Sequence, residues 1–132
     1  MPKAYNTYAA TCPTRQALDR IADKWTVLII GLLADRPHRF GELRRAIDGI
    51  SQKMLTQTLR SLELDGLVSR RVEATVPVTV EYSLTRTGRT LTEPLDAIRR
   101  WAEAHIEEVL TARSRPSKRP PRIGRGPGGA IA

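Results

Sequence analysis

The chain has 132 residues, a length that favours a single domain. It carries 22 Lys and Arg against 14 Asp and Glu, and the resulting net charge of +8 favours a polyanionic partner such as nucleic acid. The longest apolar run, residues 27–34, falls short of the roughly 20 residues that span a bilayer. The N-terminus has no hydrophobic signal segment, and a single cysteine excludes an intramolecular disulfide. We therefore expect a cytoplasmic protein with no membrane partner.

The positive charge is concentrated at the C-terminal end. Residues 113–132 hold six basic residues and no acidic one, together with four of the nine prolines and four of the nine glycines. Such a segment cannot bury a core, so a disordered basic tail is predicted. Residues 1–112 retain only +2 of the net charge, which makes the total weak support for nucleic-acid binding. We expect a flexible arm over residues 1–11 and a folded domain over residues 12–112.

Two helices are predicted near the N-terminus. Pro13 after Cys12 is typical of a helix start, because proline at the first helical position loses no hydrogen bond. Residues 24–34 form a second helix that is apolar on most sides and should be the buried centre of the domain. Pro37 ends this region.

A short turn joins the next two predicted helices. Apolar residues recur at helical spacing over residues 40–47, and Asp48-Gly49 ends this third helix. Ser51 is a good N-cap for a fourth helix over residues 51–64, which Asp65-Gly66 closes.

After the fourth helix the spacing of apolar residues changes from helical to alternating. Valines, Tyr82 and Leu84 alternate with polar residues, which predicts two strands joined as a hairpin at residues 74–77. Thr87-Gly88 then opens a long last helix with an apolar stripe. The expected fold is mainly α with a small β-hairpin (α+β): a winged helix-turn-helix with N- and C-terminal dimerisation helices.

The fourth helix has two opposite faces. At about 100° per residue, Leu55, Leu59 and Leu62 share one side. The opposite side carries residue types that hydrogen-bond base edges and phosphates, and none of them is acidic. An ordinary solvated face is the alternative, although such faces usually mix Glu with Lys. The predicted base contacts are Ser51, Gln52, Lys53, Thr56, Gln57 and Arg60.

Several basic residues outside this helix are candidate phosphate contacts. Arg44 and Arg45 end the third helix, where they could touch phosphate or simply be solvated. Arg70 and Arg71 occupy adjacent strand positions, so one of them points away from the core. The predicted phosphate and wing contacts are Arg39, Arg44, Arg45, Arg70, Arg71, Thr75 and Thr79.

Across about residues 10–104 the chain resembles the HxlR family of bacterial winged-helix transcription regulators. The matching segments are Cys-Pro at 12–13, Asp-Lys-Trp-Thr at 23–26, Arg-Phe-Gly-Glu-Leu-Arg-Arg at 39–45, Gly-Ile-Ser-Gln-Lys-Met-Leu-Thr at 49–56, Leu-Arg at 59–60, Asp-Gly-Leu-Val at 65–68 and Val-Glu-Tyr-Ser-Leu-Thr at 80–85, with Leu62 and Gly88. The resemblance implies a homodimeric DNA-binding regulator whose fourth helix enters the major groove.

The chain departs from this family at two places. Ala22-Asp23 stand where the family usually has two glycines, and Thr79 stands where a basic residue is frequent. The second departure weakens the expected contact between wing and phosphate and shifts it to Arg70, Arg71 or Thr75.

The last helix is the expected dimer interface. A small winged core can cover only part of its apolar stripe, so the remainder should be buried against a second subunit. Two-fold symmetry would then place two recognition helices about 34–36 Å apart on an inverted repeat. The predicted interface residues are Leu91, Leu95, Ile98, Trp101, Ala102, His105, Ile106 and Val109.

Cys12 is a candidate sensor. Free N–H groups at the predicted helix start favour a thiolate, and Arg15 follows one turn on. In some HxlR-like regulators the cysteine at this place senses electrophiles or oxidants, whereas an unreactive residue packed near the dimer contact is the alternative. His38 and His105 share no ligand spacing with Cys12, so no metal site is expected. The sequence shows no catalytic constellation, and we expect neither enzymatic activity nor a cofactor.

These observations predict a sequence-specific double-stranded DNA-binding transcriptional regulator. We expect a repressor that acts as a homodimer on an inverted-repeat operator, responds to a small-molecule or oxidant effector, and is associated with the nucleoid. One alternative is a winged-helix protein-protein module, which the charged face of the fourth helix disfavours. The other is an RNA-binding protein that uses the basic tail. Burial of Trp25, Phe40, Tyr82 and Trp101 would leave that protein no stacking platform.

Overall fold

The computed structural model describes residues 4–115. Its elements in chain order are α1 (Pro13–Ile21), α2 (Lys24–Asp35), β1 (His38–Arg39), α3 (Phe40–Ala46), α4 (Gln52–Leu64), β2 (Val68–Glu73), β3 (Thr79–Leu84), α5 (Arg86–Arg89) and α6 (Thr92–Ser114). Residues 1–3 of the predicted arm and residues 116–132 of the predicted tail lie outside the described part. No helix within residues 4–115 is both long and apolar enough to cross a membrane.

Contacts divide the chain into two units, Met1–Arg100 and Trp101–Ala132, with the boundary inside α6. The first unit contains a three-stranded antiparallel sheet in the order β1-β3-β2. The predicted α+β winged-helix class is thus confirmed, with one strand more than expected. The additional strand β1 has only two residues, too few for alternation to reveal, and His38 pairs with Tyr82.

The core of this unit joins α2 to α4. Leu55 and Leu59 of α4 are fully buried in the same core cluster as the fully buried Ile29 and Ile30 of α2. Burial of one such side chain contributes about 1.5–3 kcal/mol, so this core, together with the contact of α4 with β2, supports the orientation of α4. Helix α2 supplies Ile29, Ile30 and Leu33 to the core, as expected of the buried centre of the domain, although Leu28 on its other face is 38% exposed.

Two glycines make the turns that flank α4. Gly49 has φ of 87° and Gly66 has φ of 73°, both in the left-handed region that favours glycine. The predicted helix ends at Gly49 and Gly66 are confirmed. Helix α3 ends at Ala46, slightly earlier than predicted, and Ile47 already has extended backbone angles.

The last helix begins later than predicted. Thr87-Gly88 belongs to the four-residue helix α5, and the long helix α6 starts only at Thr92. Thr85 caps α5 by accepting a hydrogen bond from the Gly88 N–H at 3.0 Å. Gly88 is packed directly against the carbonyl oxygen of Leu67, where a side chain could not be accommodated.

Part of the predicted dimer stripe belongs to the core of the chain itself. Leu95 is 5% exposed and packs in that core, with Leu91 partly buried against it. The structure therefore differs from the expectation that both residues meet a partner. Ile98, Ile106 and Val109 are exposed. Trp101 is 57% exposed, so its predicted burial within the chain is wrong, whereas Trp25, Phe40 and Tyr82 are partly buried.

We predict that Gly88→Ala lowers the free energy of unfolding by about 1–3 kcal/mol, because the new Cβ overlaps a backbone atom that cannot rotate away. Urea denaturation followed by circular dichroism measures this change. Arg89→Ala, on the exposed surface of the same short helix, is the matched control and should change stability by less than about 0.5 kcal/mol. Equal stability of Gly88→Ala and wild type would contradict the packing described here.

Candidate nucleic-acid interface

Helix α4 begins with a complete cap at the protein surface. The Oγ of Ser51 accepts a hydrogen bond from the Met54 N–H at 3.0 Å, as the serine N-cap predicts. One turn later, the buried Thr58 donates its hydroxyl to the Met54 carbonyl oxygen at 2.8 Å. The first turn of α4 is therefore held in a defined geometry while its outer side faces solvent.

The two predicted faces of α4 are separated in the structure. Leu55, Leu59 and Leu62 point into the core, and Gln52, Lys53, Gln57 and Arg60 are exposed. Thr56 is half-buried at the edge of this face. Within residues 4–115, neither Lys53 nor Arg60 forms an ion pair or a hydrogen bond. The polar face thus presents uncompensated cations and amides next to each other.

Helix α3 and its N-cap residue add further exposed arginines. Arg39, Arg44 and Arg45 lie on the surface, and none of them has an ion-pair partner in the described part of the chain. The backbone N–H of Arg39 donates to Glu42 at 2.9 Å and fixes the start of the helix. This bond, with a contribution from Arg36, lowers the pKa of Glu42.

The two wing arginines are arranged differently. Strand register places Arg70 beside Tyr82 and Arg71 beside Glu81, on opposite faces of the hairpin. Arg71 forms ion pairs with Glu73 at 3.1 Å and with Glu81 at 3.9 Å. One of the two arginines had to point away from the core, and it is Arg71. Its charge is already compensated by the two glutamates.

Arg70 faces helix α4 and not the solvent side of the wing. Its Nε lies 3.5 Å from Oε2 of Glu63 near the end of α4. A groove of about 350 Å³ separates α4 from the hairpin here, lined by Arg60, Glu63, Arg70 and Tyr82 among others. Burial raises the pKa of Tyr82, and the charge of Glu63 raises it further.

The threonines of the wing also make internal contacts. Thr75 donates its hydroxyl to the Pro77 carbonyl oxygen at 2.7 Å, and Thr79 donates to Glu73 at 3.4 Å. Val76 at the tip is fully exposed. The predicted wing contacts are therefore present on the hairpin, but their polar groups are engaged with the hairpin itself.

Three acidic residues that the sequence analysis did not single out, Glu63, Glu73 and Glu81, compensate the wing arginines. The contact between Arg71 and Glu73 could have been predicted from the sequence, because residues two positions apart on one strand share a face. The contacts of Glu63 and Glu81 depend on strand register and on the packing of α4.

Cys12 is the N-cap residue of α1 and is 7% exposed. Its Sγ lies 2.9 Å from the hydroxyl of Thr14. This hydrogen bond lowers the pKa of the Cys12 thiol, against an opposing effect of burial. The predicted sensor residue thus has a lowered pKa but little access to solvent.

The two histidines are both engaged with nearby backbone. His38 is buried, and its Nδ1 is 2.8 Å from the Arg36 carbonyl oxygen. The Nδ1 of His105 is 2.9 Å from the Trp101 carbonyl oxygen, and its ring stacks on Trp101 with centroids 4.7 Å apart. In the described residues no three His, Cys, Asp or Glu side chains are grouped as metal ligands.

Comparison with known proteins places this geometry in a family. The family model for the HxlR-like helix-turn-helix matches residues 20–110. YtfH of Escherichia coli K12, an HTH-type transcriptional regulator, is 43% identical over 111 residues, which cover 84% of this chain and 88% of YtfH. The structure of ytfH from Salmonella typhimurium aligns with a TM-score of 0.80 at 41% identity, over 85% of this chain and all of that one.

A second similar structure is the redox regulator HypR in its oxidized form, with a TM-score of 0.66 at 44% identity over 70% of this chain and 96% of HypR. Diamide-treated YodB from B. subtilis has a TM-score of 0.61 at 37% identity over 73% of this chain and 96% of YodB. The resemblance found in the sequence is thus confirmed. The chain belongs to the HxlR-like family of helix-turn-helix transcriptional regulators.

Proposed function

We propose that this protein is a sequence-specific regulator that binds double-stranded DNA as a homodimer, with α4 in the major groove of each half-site. The observation that carries the proposal is the outer face of α4. Lys53, Gln57 and Arg60 are exposed there without ion-pair partners among the described residues. Their side chains match the donor and acceptor patterns of guanine and adenine in the major groove.

The distribution of compensated charge supports a division of roles. Arg39 at the N-cap of α3, with Arg44 and Arg45 on α3, has no acidic partner in residues 4–115, and all three are available to phosphates. The wing arginines would have to give up their glutamates before they contacted phosphate. In this chain we therefore assign phosphate contact to α3 and a minor electrostatic role to the wing.

A dimer is supported by apolar surface that remains uncovered. Ile98 and Trp101 are both more than half exposed on α6, and Ile106 and Val109 continue the exposed apolar surface. Contiguous apolar surface of this kind marks a protein interface. Two-fold pairing would set the two α4 helices about 34–36 Å apart, which fits an inverted repeat.

A gel shift with the promoter region next to the protein's own gene tests the proposal. Competition by unlabelled specific duplex should release the labelled DNA, while a scrambled duplex should not. The alternative function, a protein-protein module without DNA readout, predicts no shift at all. Equal competition by both duplexes would leave only non-specific DNA binding and would contradict the proposed sequence readout.

Arg60→Ala should weaken operator binding by about 1–3 kcal/mol if Arg60 contacts a guanine. The affinity for random DNA should fall much less, because base contacts distinguish the operator from random DNA. Fluorescence anisotropy at fixed salt measures both affinities.

The matched control is Arg71→Ala. Arg71 is exposed like Arg60, but it lies on the wing and its charge is compensated by Glu73 and Glu81. It should change operator affinity by less than about 0.5 kcal/mol, in the range of an exposed ion pair. A larger loss for Arg71→Ala than for Arg60→Ala would assign recognition to the wing.

We further propose that Cys12 makes this regulator responsive to oxidants. Two observations favour this second role: the lowered pKa of its thiol beside Thr14, and the similarity to the redox regulator HypR and to diamide-treated YodB. Since the chain has one cysteine, a disulfide must link two subunits or join Cys12 to a small thiol. Either product adds bulk at the start of α1.

Diamide treatment should reduce operator binding of the wild type, because a modified α1 would change the spacing of the two α4 helices. The Cys12→Ser variant should bind the operator normally before and after treatment. Anisotropy titrations of the four samples check this. If Cys12→Ser lost DNA under diamide as the wild type does, the response would arise elsewhere.

Thr14→Val should raise the pKa of Cys12, because the hydroxyl that stabilises the thiolate is removed. The midpoint pH for alkylation by iodoacetamide should therefore move upward, with slower reaction at neutral pH. Thr11→Val, at an exposed position on the other side of Cys12, is the control. An unchanged midpoint in Thr14→Val would remove the structural basis for thiolate character.

A further inference from the structure

The C-terminal end of α4 carries two carboxylates and no cation of its own. Glu63 lies in the last turn and Asp65 is the C-cap residue, while the last turn of α4 contains no basic side chain. Carboxylates are unfavourable at this end of a helix, because the macrodipole places a partial negative charge there. The end of α4 therefore depends on cations that other elements supply.

Two arginines from different elements supply these cations. Arg70 of β2 lies 3.5 Å from Glu63, whereas Arg20 of α1 makes a shorter contact, with its Nε 2.7 Å from Oδ2 of Asp65. The pair of Arg20 and Asp65 spans 45 positions and joins the N-terminal helix to the end of α4. Both of its side chains are less exposed than those of Arg71 and Glu73 on the wing, so solvent screens this contact less.

The backbone of Arg20 is itself held in place. The buried Thr26 of α2 donates its hydroxyl to the Arg20 carbonyl oxygen at 3.3 Å, and the neighbouring Ile21 is partly buried against the core. Arg20 also lies in the last turn of α1, where its positive charge complements the negative end of that helix. The guanidinium that meets Asp65 therefore projects from a backbone that is already fixed on α2.

Asp65 is bonded directly to the last turn of α4. Its backbone N–H donates to the Ser61 carbonyl oxygen at 3.0 Å, and the N–H of Gly66 donates to the Glu63 carbonyl oxygen at 3.0 Å. A contact that fixes the Asp65 side chain thus also fixes the end of the helix. Arg60, on the exposed face of α4, precedes Asp65 by only about one and a half helical turns.

We propose that Arg20 is a positioning residue for DNA recognition, which holds the C-terminal end of α4 through Asp65 and thereby orients Arg60 in the major groove. The inference rests on the proposed function and adds to it a residue of α1 that acts through α4. Base readout requires α4 in one orientation, whereas attraction to phosphates tolerates several. Loss of the contact between Arg20 and Asp65 should therefore reduce operator affinity more than affinity for random DNA.

Hydrogen exchange tests the hold on α4 in the absence of DNA. In Arg20→Gln the amides of residues 62–67 should exchange about two- to fivefold faster than in the wild type, the range set by a partly exposed ion pair. In an Asp65→Asn background the same substitution should leave these rates unchanged, because the partner of Arg20 is already gone. The matched control is Arg15→Gln, which removes the same charge from α1 at a residue that donates to the Tyr8 carbonyl oxygen at 3.2 Å. It should also leave the rates unchanged.

Fluorescence anisotropy with operator and random duplexes tests the consequence for recognition. Arg20→Gln should lower the ratio of operator affinity to random-DNA affinity by about two- to fivefold. The ratio cancels the general effect of one lost positive charge, because both duplexes lose the same phosphate attraction. Arg15→Gln should leave the ratio unchanged, and so should Arg20→Gln in the Asp65→Asn background.

Three results would overturn the inference and leave the proposed function intact. Unchanged exchange at residues 62–67 in Arg20→Gln would show that the ion pair does not hold α4. An equal effect of Arg20→Gln with and without the Asp65 carboxylate would mean that Arg20 acts by another route. Faster exchange with an unchanged affinity ratio would make Arg20 a stabilising residue only. A wild type that binds operator and random DNA equally well would instead remove the proposed function, and this inference with it.

Discussion

Burial of Leu55 and Leu59 in the core determines which face α4 presents to solvent. These leucines lie in the same core cluster as Ile29 and Ile30 of α2, and their burial fixes the rotation of α4 about its own axis. Since a helix turns by about 100° per residue, burial of these leucines directs Lys53, Gln57 and Arg60 to solvent. A core mutation that rotated α4 would therefore remove the proposed DNA-binding face without touching any residue on it.

Charge compensation then distinguishes the two candidate contact regions. The cations of α3 and α4 have no acidic partners in the described part of the chain, whereas Arg70 and Arg71 are paired with Glu63, Glu73 and Glu81. Exposed ion pairs contribute little to stability, but they do reduce the positive field that a phosphate would meet. The hairpin packs on α4 through β2.

Local patterns in the sequence were sufficient for the helix-turn-helix. Ser51 and the glycines at 49 and 66 mark the ends of α4 because capping and left-handed turns depend on residues a few positions apart. The strand β1, the burial of Leu95 and the pairing of Arg70 with Glu63 were not predictable in the same way. Each of these depends on contacts between residues distant in the chain, which periodicity does not encode. The open face of α2 belongs to the same class, because an apolar run shows that burial is favourable but not what provides it.

The central claim is that α3 and α4, and not the wing, carry DNA recognition. Nuclear magnetic resonance of the backbone amides during titration with an operator duplex tests it most directly, because each element reports separately. The account predicts the largest shifts at residues 39–45 and 51–60, with small shifts at residues 70–79. Shifts concentrated at residues 70–79, with residues 51–60 unaffected, would contradict it.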